Sequence, residues 1–451
     1  MNYNDKIKSL LDSIIDDLSS TKEDFVKNPG VDFTRDRKLP FDMVIKLVLS
    51  MKGNTLNKEL YDFFGRNPNE IVTSSAFIQQ RDKLKENIFE EIFHRFNDSM
   101  EDLKTFKGYK LYAVDGSDIN IAYDENADTY IKPQKTKKDG ELSKGYNQYH
   151  LNAIYDLLNK VYIDAFLQPK PQFDERRAFI TMLEKMELQE KALFIADRGY
   201  PSWNLFSHFK YKDNANYLIR VIDDGNTLVK DLPMKEFDIE KSIIVSTKQS
   251  DRGKENHAIV KVLKGTQRNR KYKKEEKSPN TRYKQWDFGE KEELSIRIVR
   301  FKITETTYET IFTDLDRNEF SIEEIKTLYG MRWGIETSFR ELKYIIGLTN
   351  LHSKKDEFVR QEIFAKLTMY NFSERIIASV IVEQDENRKY QYQVNYTMAM
   401  QICLDFYRSL VETDDVFSLM LKYIVAIRPG RSDKRKIKPK AFIYFLYRVA
   451  A

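Results

Sequence analysis

The sequence predicts an α/β protein: one mixed sheet with a β-rich insertion, flanked by helical regions at its two ends. Three observations predict it. Residues 1–107 carry apolar residues at helical spacing. Near residue 108 the texture changes to runs rich in β-branched and aromatic residues, alternating with helix-like segments. Beyond about residue 346 the helical texture returns. A chain of 451 residues has room for this, since domains run to about 100–200 residues each.

In the N-terminal region, KLPFDMVIKLVLSMKG places Pro40 near a helix start and Gly53 just past its end. SSAFIQQRDKLKENIFEEIFHRFND, from Ser74, also reads as helix. Interspersed basic residues suit a DNA-reading region, and ordinary helical packing explains them equally well. KLYAVDGSDINIA (110–122) and HLNAIYDLLNKVYIDAFLQP (150–169) then have strand texture, with Asn159-Lys160 as a tight turn between antiparallel strands. DERRAFITMLEKMELQEKA (174–192) is helix-like, and ALFIADRGY (192–200) is a buried strand running into charge. A helix near 201–210 and the strand NYLIRVI (216–222) complete a mixed α/β order.

Residues 225–300 read as a separate strand-rich piece, after which SIRIVRFKI and YETIFTDL return to strand. A long helix is expected from Ser321 to about Ile346, and further helices to about 427. The expected division is therefore a helical N-terminal region (1–107), an α/β domain built from 108–224 and 301–346, a β-rich insertion (225–300), and a helical C-terminal region with a basic tail (347–451).

Composition narrows the function. A single cysteine, Cys403, excludes a disulfide framework and a thiolate zinc cluster. His94, His150, His208, His257 and His352 lie far apart, which argues against a histidine-ligated metal. The charged N-terminus is no signal peptide, and IIASVIV (376–382) is too short to cross a bilayer, so no membrane association and a cytoplasmic protein are expected. The net charge of +5 is unevenly spread. Lys261–Lys284 holds ten basic and two acidic residues, and Arg428–Lys440 seven and one, leaving the rest net acidic. Concentrated cation on an acidic body suits a polyanion such as nucleic acid, while solvated loops and tails also carry such runs.

Two aspartates stand where strands meet loops: Asp115 after LYAV and before Gly116, and Asp197 after ALFIA and before Arg198-Gly199. Either one alone is commonly a turn or cap residue; Asp118 and Asp164 have the same look. The helix from Ser321 says more. Ser321 and Glu324 form a capping box. Tyr329, Arg332, Glu336 and Lys343 follow at spacings of three, four and seven, within roughly 60° on a helical wheel. Ile325, Leu328, Ile335, Phe339, Leu342 and Ile346 mark the adjacent face as buried. Surface ion pairs would explain the charges but not the tyrosine in line with them. Asp115, Asp197 and Glu336 brought together would repel one another unless cations joined them. Mg²⁺ or Mn²⁺, which take hard oxygen ligands, suit such a set, and two ions about 3.5–4 Å apart promote in-line phosphoryl displacement. Arg332, Lys343 and Tyr329 would then hold nearby phosphates.

D-G-S at Asp115, A-D-R-G-Y at Asp197, and Y-x2-R-x3-E-x6-K at Tyr329, Arg332, Glu336 and Lys343 resemble the motifs of DDE-class bacterial insertion-sequence transposases, in the branch named for Y-R-E-K. The resemblance spans about residues 30–440 and includes FTRDRKLPFDM, SAFIQQRDKLK and IRPGRSDKRKIKPKAF. It implies a ribonuclease-H-like catalytic domain interrupted by a β insertion. It also implies Mg²⁺-dependent cutting at terminal inverted repeats, with Mn²⁺ able to substitute, and transfer of the freed 3′-hydroxyl into target DNA. By the same resemblance Asp115, Asp197 and Glu336 are the catalytic metal ligands. Tyr329, Arg332 and Lys343 contact DNA phosphates, and Arg198 assists. Trp333 is expected in the core, with stacking on an unpaired base as the alternative. Double-stranded DNA is the implied partner, a homodimer on paired ends the implied assembly, and the bacterial nucleoid the implied location. A catalytically silent DNA-binding descendant, or a ribonuclease-H-like nuclease without strand transfer, is the competing expectation.

Overall fold

The computed structural model describes all residues except 1, 36, 102, 134–143, 224–227, 261–285, 386 and 429–451. The Lys261–Lys284 run and, apart from Arg428, the basic tail lie outside the described residues.

Five helices open the chain: α1 (Tyr3–Ser20), α2 (Phe41–Ser50), α3 (Leu56–Phe63), α4 (Ser74–Arg81) and α5 (Ile88–Asp98). The stretch from Ser74 expected as one helix is two. The chain between them turns aside so that Leu84 bridges Val26 and Lys85 N donates to Phe25 O. The sheet follows as β1 (Lys110–Ile121), β2 (Tyr130–Ile131), β3 (Tyr146–Asp156), β4 (Val161–Pro169), β5 (Ala192–Ala196) and β6 (Ala215–Val221). Helices α6 (Glu175–Lys185) and α7 (Trp203–Tyr211) flank β5 in sequence. The expected β3–β4 turn is present: Lys160 takes a φ of 57°, and Asp156 Oδ1 accepts from the amides of Leu158 and Asn159.

β1 lies between antiparallel β3 and parallel β5, with β4 beyond β3 and β6 beyond β5. The antiparallel strands β1, β3 and β4 are followed by parallel β5 and β6 in one mixed sheet, so the fold class agrees with expectation. The strands β7 (Phe237–Ser246), β8 (His257–Ile259), β9 (Lys291–Lys302) and β10 (Tyr308–Thr313) do not stand apart as a separate piece. β10 pairs β6, β9 pairs β10, and β7 pairs β9, so they lengthen the same sheet. The reason is burial: Leu294, Ile296 and Ile298 extend the core formed on one sheet face with α6 and α7.

The remaining helices are α8 (Ile322–Met331), α9 (Trp333–Tyr344), α10 (Asp356–Ile377), α11 (Tyr396–Tyr407) and α12 (Thr413–Lys422), with short strands β11 (Tyr392–Val394) and β12 (Ile424–Ala426). α10 is buried along most of its length and joins the N-terminal helices to the second sheet face in one core. Ion pairs reinforce that junction: Arg81 Nη1 reaches Glu362 at 2.9 Å, and Arg408 pairs with Glu59. Among the described residues, no helix is long and apolar enough to cross a membrane.

Candidate active site

Sheet register places the two aspartates. Val114 and Ala196 are the last parallel partners of β1 and β5, and Asp115 and Asp197 are the next residues on each chain. Each carboxylate is held by a following amide. Gly116 N donates to Asp115 Oδ1 at 2.8 Å, and Gly199 N to Asp197 Oδ1 at 2.6 Å. Burial pushes the Asp115 carboxyl up to about 6; the Gly116 hydrogen bond and Arg332 oppose this, while the charges of Asp197 and Glu336 add to it.

The third carboxylate comes from the segment beginning at Ser321, whose capping box forms as expected. Ile325, Leu328, Ile335, Phe339, Leu342 and Ile346 are buried, also as expected. The single long helix is not. It breaks at Arg332, where Arg332 N bonds Tyr329 O and Ile335 N bonds Arg332 O, both three residues back. Close packing accompanies the break: a Cβ on Gly334 would lie 2.8 Å from Leu157 Cδ2. The α9 backbone therefore presses directly on the β3–β4 turn.

That step sets the motif's geometry. Arg332 Nη2 donates to Glu336 Oε1 at 2.7 Å, and Nη1 lies 3.5 Å from Asp115 Oδ2, so one guanidinium joins a strand carboxylate to a helix carboxylate. Lys343 Nζ donates to Ser117 Oγ at 2.7 Å, and burial pushes its pKa down. Tyr329 is buried beside Arg220, which pairs with Glu309 at 2.9 Å. Arg198 is exposed on the loop after β5. Trp333 is not in the core: it is 62% exposed, with Arg332 over its ring at 5.2 Å. On an unbroken wheel Trp333 already points well away from the buried face, and the structure leaves it there.

A family model described as "Transposase DDE domain" matches residues 106–372, more than half of the chain. The chain belongs to this family. It is 37% identical over 57 residues to the putative transposase InsL for insertion sequence element IS186A of Escherichia coli (strain K12), and to the same extent similar to the transposase for insertion sequence element IS421 of Escherichia coli. Each match covers 13% of this chain and 15% of the relative, so only about a seventh of those relatives' length is spanned. A solved structure, the cryo-EM structure of the piggyBac transposase synaptic complex with hairpin DNA, is similar with a TM-score of 0.43 and 9% identity, over 96% of this chain and 86% of that one.

In this DDE-domain chain the donor set suits a hard divalent cation in kind: carboxylate oxygens from three elements, near enough for two of them to raise the pKa of the third. Their arrangement is open. Among the described residues, no group of three or more His, Cys, Asp or Glu could hold a metal ion as it stands, and Arg332 occupies the charge between Asp115 and Glu336.

Sequence reading missed three neighbours. His150 Nδ1 lies 2.6 Å from Asp118 Oδ1, and its Nε2 lies 3.0 Å from Glu175 Oε1, in ion-pair range though off the line of a formed hydrogen bond. Tyr200 is fully buried with its hydroxyl unpartnered, close enough to Asp115, Glu175 and Asp197 to feel their charges. Tyr200 is part of the A-D-R-G-Y motif, so its signal was present. Glu175 opens a helix, where an acidic residue passes as a complement to the helix dipole.

Proposed function

We propose that this DDE-domain chain is a DNA transposase of the Y-R-E-K branch. It would cut transposon ends at terminal inverted repeats and join the freed 3′-hydroxyl to target DNA. The observation that supports this reading is that Arg332 links Asp115 on β1 to Glu336 on α9, with Asp197, at the end of β5, near enough for its charge to act on Asp115.

In this reading Asp115, Asp197 and Glu336 hold divalent metal, with Mg²⁺ as the ion and Mn²⁺ as its substitute. Such ions, when bound, stabilise the attacking and leaving oxygens of phosphoryl transfer. The chain's own residues do the rest. Arg332 offers a planar fork to a phosphate, and Lys343 offers a compact charge. The Tyr329 hydroxyl adds a donor, and Arg198 lines the rim. The exposed face of Trp333 stacks on an unpaired base, in place of the core role expected for it. The proposed partner is double-stranded DNA, both transposon ends and target, bound by a homodimer on paired ends. Helices from 347–427 take part in that assembly, and residues 1–107 contact DNA.

The test is nicking of end DNA in the presence of Mg²⁺. The wild-type chain should nick, while Asp115→Asn and Glu336→Gln should not. Full activity in either variant would overturn the assignment. Short inverted repeats bracketing the gene are the expected genomic companion.

A further inference from the structure

The carboxylate of Glu175 stands at the glycines that follow the two site aspartates. An ideal Cβ on Gly116 would lie 3.2 Å from Glu175 Oε1, and one on Gly199 would lie 3.9 Å from Glu175 Oε2. A Cβ on Gly116 would also meet His150 Nε2 at 2.2 Å. Glu175 thus occupies space that only glycine at 116 leaves open, beside Asp115 and within reach of the Asp197 loop. Its approach is fixed from both sides. Arg176 Nε donates to Gly199 O at 2.8 Å, tying the first turn of α6 to that loop. His150 reaches Glu175 with one nitrogen and Asp118 with the other, and Lys170 Nζ holds Asp118 at 2.6 Å. A row of contacts therefore runs Lys170, Asp118, His150, Glu175 and ends at the acidic site.

A second, independent observation points to a ligand there. Tyr200 is 1% exposed, its hydroxyl has no hydrogen-bond partner, and it lies under the charges of Asp115, Glu175 and Asp197. Leaving a buried hydroxyl unsatisfied costs about 1–3 kcal/mol. A hydrated cation brings oxygen atoms to such a place. Dipole compensation at the start of α6 needs no side chain directed at Gly116 and Gly199, and a lone ion pair with His150 does not account for the Tyr200 hydroxyl.

We propose that Glu175 is a fourth acidic residue of the cation site, adding to divalent-cation affinity alongside Asp115, Asp197 and Glu336, with His150 as its positioning residue. This rests on reading the site as a cation site. The probe is Mn²⁺, titrated calorimetrically into the full-length, metal-free chain without DNA. Glu175→Gln is expected to weaken Mn²⁺ binding about tenfold, within the 10–100-fold seen when a supporting residue of a metal site is lost. Glu175→Asp, which keeps the charge and withdraws it, should give a smaller loss. Tyr200→Phe should raise the melting temperature of the metal-free chain and narrow the rise that Mn²⁺ produces; this variant keeps the proposal testable if Glu175→Gln misfolds. Should Glu175→Gln bind Mn²⁺ within twofold of wild type while Asp197→Asn and Glu336→Gln lose binding, Glu175 is only a partner of His150 and the inference fails. Should none of the acidic variants change Mn²⁺ binding, the cation-site reading itself fails.

Discussion

Arg332→Gln is the perturbation that most directly probes the site. The guanidinium links Asp115, whose side chain is 22% exposed, with Glu336, 37% exposed, and is itself 8% exposed. Breaking a fully buried ion pair costs about 3–5 kcal/mol, because a desolvated charge is left alone. Water reaches Glu336, so part of that cost is screened and about 2 kcal/mol is expected in metal-free buffer. A divalent cation can supply the missing positive charge, and it no longer competes with arginine for the same oxygens. Mg²⁺ binding should then tighten by up to about 30-fold, the equivalent of about 2 kcal/mol. The assay is urea unfolding of wild type and variant, in EDTA and in excess Mg²⁺. Arg332→Gln should be less stable in EDTA and recover most of the difference in Mg²⁺, since a ligand stabilises the state that binds it. A loss of equal size in both buffers would mean that only packing was disturbed and that Arg332 does not stand in for metal.

Three further outcomes follow from other places in the fold. Burial pushes the Glu374 carboxyl up to about 7, against hydrogen bonds from Tyr396 and Tyr370. The folded chain thus holds a proton that the unfolded chain releases near 4.5. Stability from this group is fully present below about 4.5, declines as pH rises and is lost above about 7, an effect of roughly 3 kcal/mol. Glu374→Gln should flatten that slope in urea midpoints between pH 5 and 8; an unchanged slope would reject the assignment. Gly334→Ala should cost no more than about 1 kcal/mol net, because its Cβ would meet only the tip of the Leu157 side chain at 2.8 Å and alanine favours the helix, and Leu157→Ala in the same chain should relieve the clash in thermal melts. Trp333→Ala should change stability by no more than about 0.5 kcal/mol, as expected for an exposed residue, while weakening binding to end DNA by gel shift. A large loss of stability would return Trp333 to a packing role.

Much of the fold was legible because local chemistry and tertiary packing agree. The apolar run ALFIA is buried throughout as β5, and the Asn159-Lys160 turn forms between β3 and β4. The capping box at Ser321 fixes the start of α8. What stayed hidden depends on residues far apart in sequence. The close approach of Gly334 to Leu157 beside the break at Arg332 is a contact that no periodicity reports. The strands beyond residue 225 read as separate because composition does not tell which sheet edge a strand will join. Glu175 was invisible for a different reason: an acidic residue in the first turn of a helix has an ordinary explanation, and only the two glycines opposite it show where its carboxylate lies.

The position of Arg332 violates a local preference, and that violation bears on function. An acidic residue four positions before a basic one stabilises a helix better than the reverse order, and positive charge at a helix N-terminus opposes the macrodipole. Arg332 is both the N-cap of α9 and the basic residue preceding Glu336 by four. Arg332 is also the C-cap of α8, where a cation is favoured, so the two helix dipoles oppose one another there and give no net account of it. Nor does its hydrogen bonding, since Arg332 Nε is buried without a partner while the terminal nitrogens reach Glu336 and Asp115. A buried cation with one donor unspent and a second carboxylate at the longer distance of 3.5 Å is poised between partners. In the proposed reading the second partner is a DNA phosphate, whose two non-bridging oxygens suit the free edge of the planar guanidinium once the carboxylates are otherwise neutralised. Such conflicts between local rules and global placement are expected at functional sites, where the sequence answers to a ligand as well as to the fold.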